Sequence, residues 1–252
     1  MTSAFQPWVV VPVYDHEHAI GTTLDRLLPH GVPVLLVDDG SVASCAAVLR
    51  ELASRHAGQV SLLRLEQNGG KGAAVIAGMR QAAVLGASHV LQIDADGQHD
   101  TADVPRFLAE AAAHPDAVIN GRPLYDESVP TGRLVGRYAT HVWVWINTLS
   151  LDIADSMCGF RVYPLAATLA LLDREYVGRR MDFDIEVIVR LHWAGLAIRT
   201  VPTRVTYPLD GVSHFRLWRD NARISAMHTR LLFGMLWRLP RLLLRRVRRG
   251  KR

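Results

Sequence analysis

Val90-Leu91-Gln92-Ile93-Asp94-Ala95-Asp96-Gly97-Gln98-His99 carries an apolar run straight into two carboxylates one residue apart, an amide and an imidazole. Side chains alternate along a strand, so carboxylates at i and i+2 on an extended end are expected to point the same way. Two hard oxygen ligands converging on one point, with Gln98 close by, suit Mg²⁺ or Mn²⁺ carrying the phosphates of a substrate. A solvated acidic loop with Asp helix caps is the competing reading. It does not explain why the acids follow a buried run.

Outward from this stretch, apolar runs and helical patterns alternate. Strands are expected at Trp8–Tyr14, Val32–Val37, Val60–Leu65, His89–Ile93 and Ala117–Asn120. Helices are expected at about His18–Leu28, then Ala43–His56, Lys71–Leu85 and Thr101–His114. Short continuous Val/Ile/Leu runs fit strands covered on both faces. The alternation argues for an α/β fold, a mostly parallel central sheet with helices on both faces. Ligands of such sheets bind beyond the carboxyl ends of the strands. There the polar clusters fall: Tyr14-Asp15, Asp38-Asp39, Asp94 to Asp96 and Gly121-Arg122. After Arg122 the alternation stops. Leu124–Thr131 reads as a mobile loop, Arg133–Leu149 as a helix, and Asp155–Tyr163 as an irregular segment. A helix from Pro164, another over Phe183–Trp193 and a strand at Ile198–Tyr207 follow. One catalytic domain is therefore expected over residues 1–215.

The formal net charge of +5 conceals an asymmetry. Residues 216–252 hold 12 Lys/Arg and one acid, Asp220, whereas residues 1–215 hold 17 basic and 23 acidic groups. The body is acidic and the basicity belongs to the tail. No apolar run reaches the roughly 18–20 residues a membrane-spanning helix needs. The first residues show neither a basic n-region nor an apolar h-region, so no secretory leader is expected. Cys45 and Cys158 are the only cysteines, far apart, which fits a reduced cytosolic compartment and no zinc site.

Two further segments carry chemistry. Asp38-Asp39-Gly40-Ser41 follows an apolar run; a carboxylate there can accept from a base N–H or a ribose hydroxyl, or simply cap a turn. Asn68-Gly69-Gly70-Lys71-Gly72 precedes a helix, whose N-terminus together with Lys71 favours an anion. Its spacing is not that of a Walker A loop.

In this order the segments resemble the family-two glycosyltransferases, most closely the dolichyl- and polyprenyl-phosphate sugar transferase branch. The matching residues are Pro12-Val13-Tyr14, Asp38-Asp39-Gly40-Ser41, Asn68-Gly69-Gly70-Lys71-Gly72, Asp94-Ala95-Asp96-Gly97-Gln98, Gly121-Arg122 and Cys158-Gly159-Phe160-Arg161. The resemblance covers about residues 8–215. It implies a GT-A fold, a nucleotide-sugar donor (GDP- or UDP-sugar), a divalent metal, and inversion at the anomeric carbon. On it, Pro12 and Tyr14 would frame the base, Asp38 or Asp39 would hold base or ribose, and Lys71 would lie near the nucleotide. Asp94, Asp96 and Gln98 would hold the metal, with Ala95 between them against the donor. Arg122 and Arg161 would face the acceptor or the leaving phosphate. Two departures stand out. The family's usual Tyr-Asn-Glu is Tyr14-Asp15-His16-Glu17 here, which leaves open whether Glu17 supplies the usual carboxylate. Near the domain's end Ser213 and His214 are the expected acceptor contacts, but the family's Arg is missing and His214 stands where Lys is common.

An anionic phosphate acceptor needs no base, whereas a hydroxyl needs a carboxylate in reach. Asp155 is the preferred candidate, ahead of Asp182, Asp184 and Glu186; Asp182 is the expected cap of the Phe183–Trp193 helix. The tail reads as an amphipathic helix. Arg216, Arg219, Arg223 and Arg230 lie on one face, and Leu217, Ile224, Leu231 and Met235 on another, beside Trp218 and Leu232. Such a segment suits a membrane interface, so residues 216–252 are expected to hold the protein peripherally at the inner face of the cell membrane, near a lipid-linked acceptor. Packing of the tail on the body is the alternative. Two other functions share some of these features. A nucleotidyltransferase would need a glycine-rich basic loop after the first strand, where Pro12-Val13-Tyr14-Asp15 stands. A nucleic-acid-binding protein is disfavoured by the acidic body. The composition leaves oligomeric state undetermined.

Overall fold

The computed structural model describes residues 4–125, 131–206 and 217–249. Seven strands form one sheet in the order β3-β2-β1-β4-β6-β5-β7. They are β1 (Pro7–Val13), β2 (Val34–Asp38), β3 (Val60–Arg64), β4 (His89–Gln92), β5 (Val118–Tyr125), β6 (Arg161–Pro164) and β7 (Ile198–Val205). The helices are α1 (Glu17–Leu27), α2 (Ala43–Arg55), α3 (Lys71–Val84), α4 (Val104–Ala113), α5 (Thr131–Thr148), α6 (Leu165–Leu172), α7 (Phe183–Ala194) and α8 (Leu217–Arg249).

Strands β1 to β4 pair in parallel, with Val9 opposite both Val34 and Leu91. Their valine and leucine side chains fill two layers, one on each face. The first holds Val9, Val11 and Leu36 with Ile20, Leu49 and Phe107; the second holds Val10, Leu35 and Val37 with Val75, Met79 and Phe183. This double burial is why these strands read as unbroken apolar runs. The chain leaves β3 through α3 and returns to pair β4 with the other edge of β1, so strand order reverses between β1 and β4. A crevice at such a reversal is where ligands of open α/β sheets sit.

Two strands differ from the expectation. Arg161–Pro164 is not irregular but runs antiparallel between β4 and β5, with Leu91 opposite Val162. Strand β5 does not end at Asn120; it pairs with β7 over eight residues, to Tyr125, which places Gly121 and Arg122 inside the strand. Of the expected mobile loop, residues 126–130 lie outside the described residues.

The tail is not detached. One face of α8, with Met227, Leu231, Met235 and Leu242, packs against α5 and α7 through Val144, Ile188, Val189 and Trp193. Arg230 reaches Glu186 at 2.9 Å, and Arg238 reaches Glu175 at 3.0 Å while stacking on Trp193. Among the described residues no helix is long and apolar enough to cross a membrane. Cys45 and Cys158 are both free and buried.

Candidate active site

The carboxyl ends of β2, β1 and β4 lie side by side, which brings the three acidic clusters together. Strand β4 stops at Gln92, and Asp94 to Asp96 occupy a turn closed by Gly97 at φ +72°. The two carboxylates are therefore not ligands on an extended strand end, as the spacing suggests, but neighbours across a tight turn. Pro12 is buried within β1 and Tyr14 stands half-buried at its end.

Asp94 is gripped by Lys71 at the start of α3, whose Nζ lies 2.8 Å from Oδ2 and 2.7 Å from Oδ1. The same Nζ is 2.7 Å from Asp184 Oδ2. Burial alone would raise the Asp94 acid, but Lys71 and then His99, 3.8 Å away, hold it well below the usual carboxylate range. Burial pulls the Lys71 ammonium down, and Asp184 and Asp94 more than reverse this, so it stays charged. Gly159 makes room for this pair, since a Cβ there would overlap the Asp94 carboxylate.

Behind Asp184 runs a buried chain of hydrogen bonds. Gln92 Nε2 donates to Asp184 Oδ1 at 2.9 Å, and the Tyr163 hydroxyl donates to Gln92 Oε1 at 3.2 Å. Arg161 Nη1 donates to the Tyr163 hydroxyl at 3.1 Å. Burial pushes the Tyr163 phenol up to about 12, so it keeps the proton it donates. Arg161 does not face a cleft. Its guanidinium is fully buried, and its remaining N–H groups donate to Asn120 Oδ1 and to the carbonyls of Asp184, Ser156 and Cys158. With every donor engaged, Arg161 has none left for an acceptor and instead ties β6 to β5 and α7.

Asp96 stands apart. Its Oδ1 accepts one backbone bond, from Gln98 N–H at 3.1 Å, and among the described residues no cation pairs with it. Burial, then the charge on Asp94, push its acid up. A half-buried carboxylate with no ion-pair partner among the described residues could accept a divalent cation, and Asp94, Asp96 and the Gln98 amide are the oxygen donors that could hold Mg²⁺ or Mn²⁺ there. Among the described residues no three His, Cys, Asp or Glu side chains gather as a ready-made metal cluster. Other ligands would have to come from water or a bound diphosphate.

Asp38 and Asp39 shape the crevice wall. Asp38 pairs with Arg64 and accepts from Ser41 N–H at 2.8 Å. Asp39 accepts from Gly69 and Gly70 N–H, both at 2.8 Å, and so folds the glycine loop over the sheet; burial pushes its acid up. Gly70, at φ +98°, presses its backbone on Arg179 and Arg180, where a side chain would collide. Glu17 opens α1 and meets Ser44 of α2 at 3.4 Å. Ala95 is buried, its carbonyl accepting from the Thr23 hydroxyl at 3.3 Å.

The carboxylates considered as bases are all engaged. Asp155 is buried and held by Arg137 at 2.6 and 2.7 Å, by His141 at 3.2 Å, and by the N–H groups of Met157 and Cys158, both at 2.9 Å. Burial alone would raise its acid, but His141 and Arg137 pull it down to about 2, which leaves little proton affinity for a base. Asp184 is spent on Gln92 and Lys71. Glu186, fully buried, accepts from Arg190, Arg230 and Gly178 N–H. Asp182 accepts from Arg180 N–H at 3.1 Å and lies 3.8 Å from the Arg230 guanidinium. Its side chain does not cap the first turn of α7. Arg122, by contrast, is exposed on β5. Ser213 and His214 lie outside the described residues.

Residues 8–179 match the family described as glycosyl transferase family 2. The chain belongs to that family. This glycosyltransferase is 24% identical over 216 residues to the UDP-N-acetylglucosamine–dolichyl-phosphate N-acetylglucosaminyltransferase of Methanococcus voltae, covering 79% of this chain and 85% of the relative. It is 28% identical over 240 residues to the polyprenol monophosphomannose synthase of Mycolicibacterium smegmatis, covering 92% and 88%. Among solved structures, glucosyl-3-phosphoglycerate synthase from Mycobacterium tuberculosis, in complex with Mn²⁺, UDP and glucosyl-3-phosphoglycerate, superposes with a TM-score of 0.62 at 18% identity. That match covers 92% of this chain and 79% of the other and identifies the fold as GT-A. The reaction class is thus sugar transfer, not nucleotidyl transfer. Sequence reasoning did not find the Arg137–His141 clamp or the Gln92–Tyr163 relay. A glutamine inside an apolar strand and a cation pair at i, i+4 of an apolar helix are the signals that point to them.

Proposed function

We propose that this glycosyltransferase moves a hexose, with inversion, from a GDP- or UDP-sugar to a polyprenyl phosphate or a related lipid-borne phosphate at the cytosolic membrane face. The observation that carries the choice of acceptor is the state of the four candidate bases. Asp155, Asp182, Asp184 and Glu186 all accept hydrogen bonds within the protein, and His141 and Arg137 hold the Asp155 acid low. A hydroxyl acceptor would need one of them free. A phosphate is already a nucleophile and needs none. The two relatives, a dolichyl-phosphate N-acetylglucosaminyltransferase and a polyprenol monophosphomannose synthase, support the same choice.

In this reading Pro12, Tyr14 and the Asp38-Asp39 turn line the place of the nucleoside. The Gly69-Gly70 loop and the α3 N-terminus lie beside the diphosphate, as a helix start favours. A divalent cation at Asp94, Asp96 and Gln98 would neutralise charge on the departing diphosphate, and the Mn²⁺ and UDP of the solved relative support that assignment. Lys71 keeps Asp94 ionised and oriented toward that site. Arg122, exposed on β5, would meet an incoming phosphate. The arginine-rich C-terminal tail contacts the membrane that carries the acceptor.

The test is direct. The purified protein is given labelled GDP- and UDP-sugars with short-chain polyprenyl phosphate or the matching free alcohol, each with and without Mg²⁺ or Mn²⁺. Transfer to the phosphate alone, stopped by chelation, is the expected result. Equal transfer to the alcohol would overturn the acceptor assignment.

A further inference from the structure

The outer face of α5 and that of α8 from Phe233 onward are apolar, and neither is covered by the described residues. On α5, Tyr138, Val142, Trp143 and Ile146 recur at three- and four-residue spacing and are exposed, with no charged side chain between them. On α8, Trp218, Phe233, Leu236 and Trp237 are exposed on the side away from Met227 and Leu231, and the two tryptophans are 86% and 87% exposed. The helices lie side by side. The Trp143 ring is 6.0 Å from that of His228, and Asn147 Nδ2 is 3.4 Å from His228 Nδ1. Their outer faces therefore adjoin.

We infer that α5 and α8 together form one rigid platform that lies on an anionic lipid bilayer. Three features select that occupant. At a rise of about 1.5 Å per residue, the α8 stripe from Phe233 to Leu244 extends about 17 Å, and Trp218 stands further along the same face beyond small and polar residues, an open run that matches a flat surface rather than a pocket. The unpaired charges beside it are positive: Arg219 and Arg241 are exposed and make no ion pair among the described residues, and the one acid of α8, Asp220, is buried against Arg223. A second copy docked by a two-fold axis would set these arginines against each other, whereas an anionic leaflet complements them. Tryptophans beside an apolar face and arginines match the chemistry of the membrane–water interface.

This inference deepens the lipid-acceptor reading and rests on it. It also gives α5 two jobs. Its inner face holds Asp155 through Arg137 and His141, and the chain from Asp155 leads within four residues to Gly159, packed on Asp94. Its outer face meets lipid. At least one helix diameter, roughly 10 Å, then separates the reaction site from the headgroups.

The experiment uses the full chain and vesicles of phosphatidylcholine, alone or mixed equally with phosphatidylglycerol. Trp143→Ser/Ile146→Ser alters α5 alone and Phe233→Ser/Trp237→Ser alters α8 alone. Val84→Ser, on exposed α3, is the control. The parent and the control are expected to partition onto the anionic vesicles, and each double variant to lose about tenfold in partitioning. Transfer to short-chain polyprenyl phosphate in solution is expected to stay at the parent level in every variant. Loss in the α8 variant with parent-like partitioning of the α5 variant would overturn the platform and leave the tail contact standing. Parent-like partitioning of both would also overturn it. So would a parent that sediments as a dimer and becomes monomeric in the α5 variant, because that assigns the face to a second copy. Failure of soluble transfer in the parent would strike the acceptor reading instead.

Discussion

Asp184→Asn is the substitution that best tests how the site is held. The side chain has the same shape, but the relay behind it has a fixed direction. Arg161 donates to Tyr163, Tyr163 to Gln92, and Gln92 to Asp184 Oδ1, while Lys71 donates to Oδ2 from the other side. Two donors thus converge on two oxygens. An asparagine offers one oxygen and one NH₂, so whichever way it turns, one donor faces a donor. The site is nearly dry, with Lys71 16% and Asp184 7% exposed at the side chain, so water does not repair the loss. Losing a charged hydrogen bond costs about 1.5–3 kcal/mol, and breaking a buried ion pair on one side about 3–5 kcal/mol. We expect urea unfolding at pH 7 to report a loss of about 3 kcal/mol, which for a chain of this size lowers the melting temperature by about 9 °C. Lys71→Met/Asp184→Asn removes both charges, and the cycle should show coupling of about 2 kcal/mol. An Asp184→Asn protein within about 0.5 kcal/mol of the parent would refute the relay, because that is the range of a surface change.

Three further outcomes follow from the same geometry. Asp96 ionises against burial and the charge of Asp94, so its ionised form destabilises the fold above its raised acid range; Asp96→Asn should melt at or above the parent at pH 7 yet lose any metal-dependent thermal shift by nucleoside diphosphates. His228, between α5 and α8, is pushed by burial to about 4 from an ordinary 6.5; as pH falls below 6.5 the unfolded chain takes up a proton the folded one refuses, so stability drops by up to about 1.4 kcal/mol per pH unit down to about pH 4. A His228→Gln protein should lose less melting temperature between pH 7 and pH 5 than the parent does. Gly159→Ala places a methyl group on the Asp94 carboxylate, and isothermal titration should show at least tenfold weaker nucleoside diphosphate binding in the presence of Mn²⁺, whereas Gly136→Ala, with open space at its Cβ, should bind as the parent does.

Much of the fold is legible in the sequence because β1, β2 and β4 are buried on both faces and are built mainly on Val and Leu. Strand β6 is not. Arg161-Val162-Tyr163-Pro164 places a guanidinium in the core, which composition argues against, and only the converging acceptors of Asn120, Tyr163 and three carbonyls make it tolerable. Strand β5 is read short because Gly121-Arg122-Pro123 resembles a strand end, whereas pairing with β7, nearly eighty residues later, carries it on. The Asp155 carboxylate looks available in the local stretch Asp155-Ser156-Met157-Cys158. The groups that occupy it, Arg137 and His141, are on a helix upstream, and nothing local reports them. In the tail, periodicity finds the helix but cannot say which apolar face is buried, because α8 has two.

The distribution of counter-charges explains why the site takes this form. Asp38 has Arg64, Asp94 and Asp184 share Lys71, Asp155 has Arg137 and His141, and Asp39 has two backbone N–H groups. Each of these carboxylates is fixed by a partner that folding itself supplies, and each holds an element of the crevice in place. Asp96 has one N–H and no cation among the described residues, although burial and Asp94 make its charge costly. His99 and Lys71 lower its acid through charge alone, without a contact, and we propose that a cation arriving with the substrate completes its neutralisation. On the proposed acceptor reading, the β5 side is the other end: Arg122 stands exposed there, and an acceptor phosphate meets a cation.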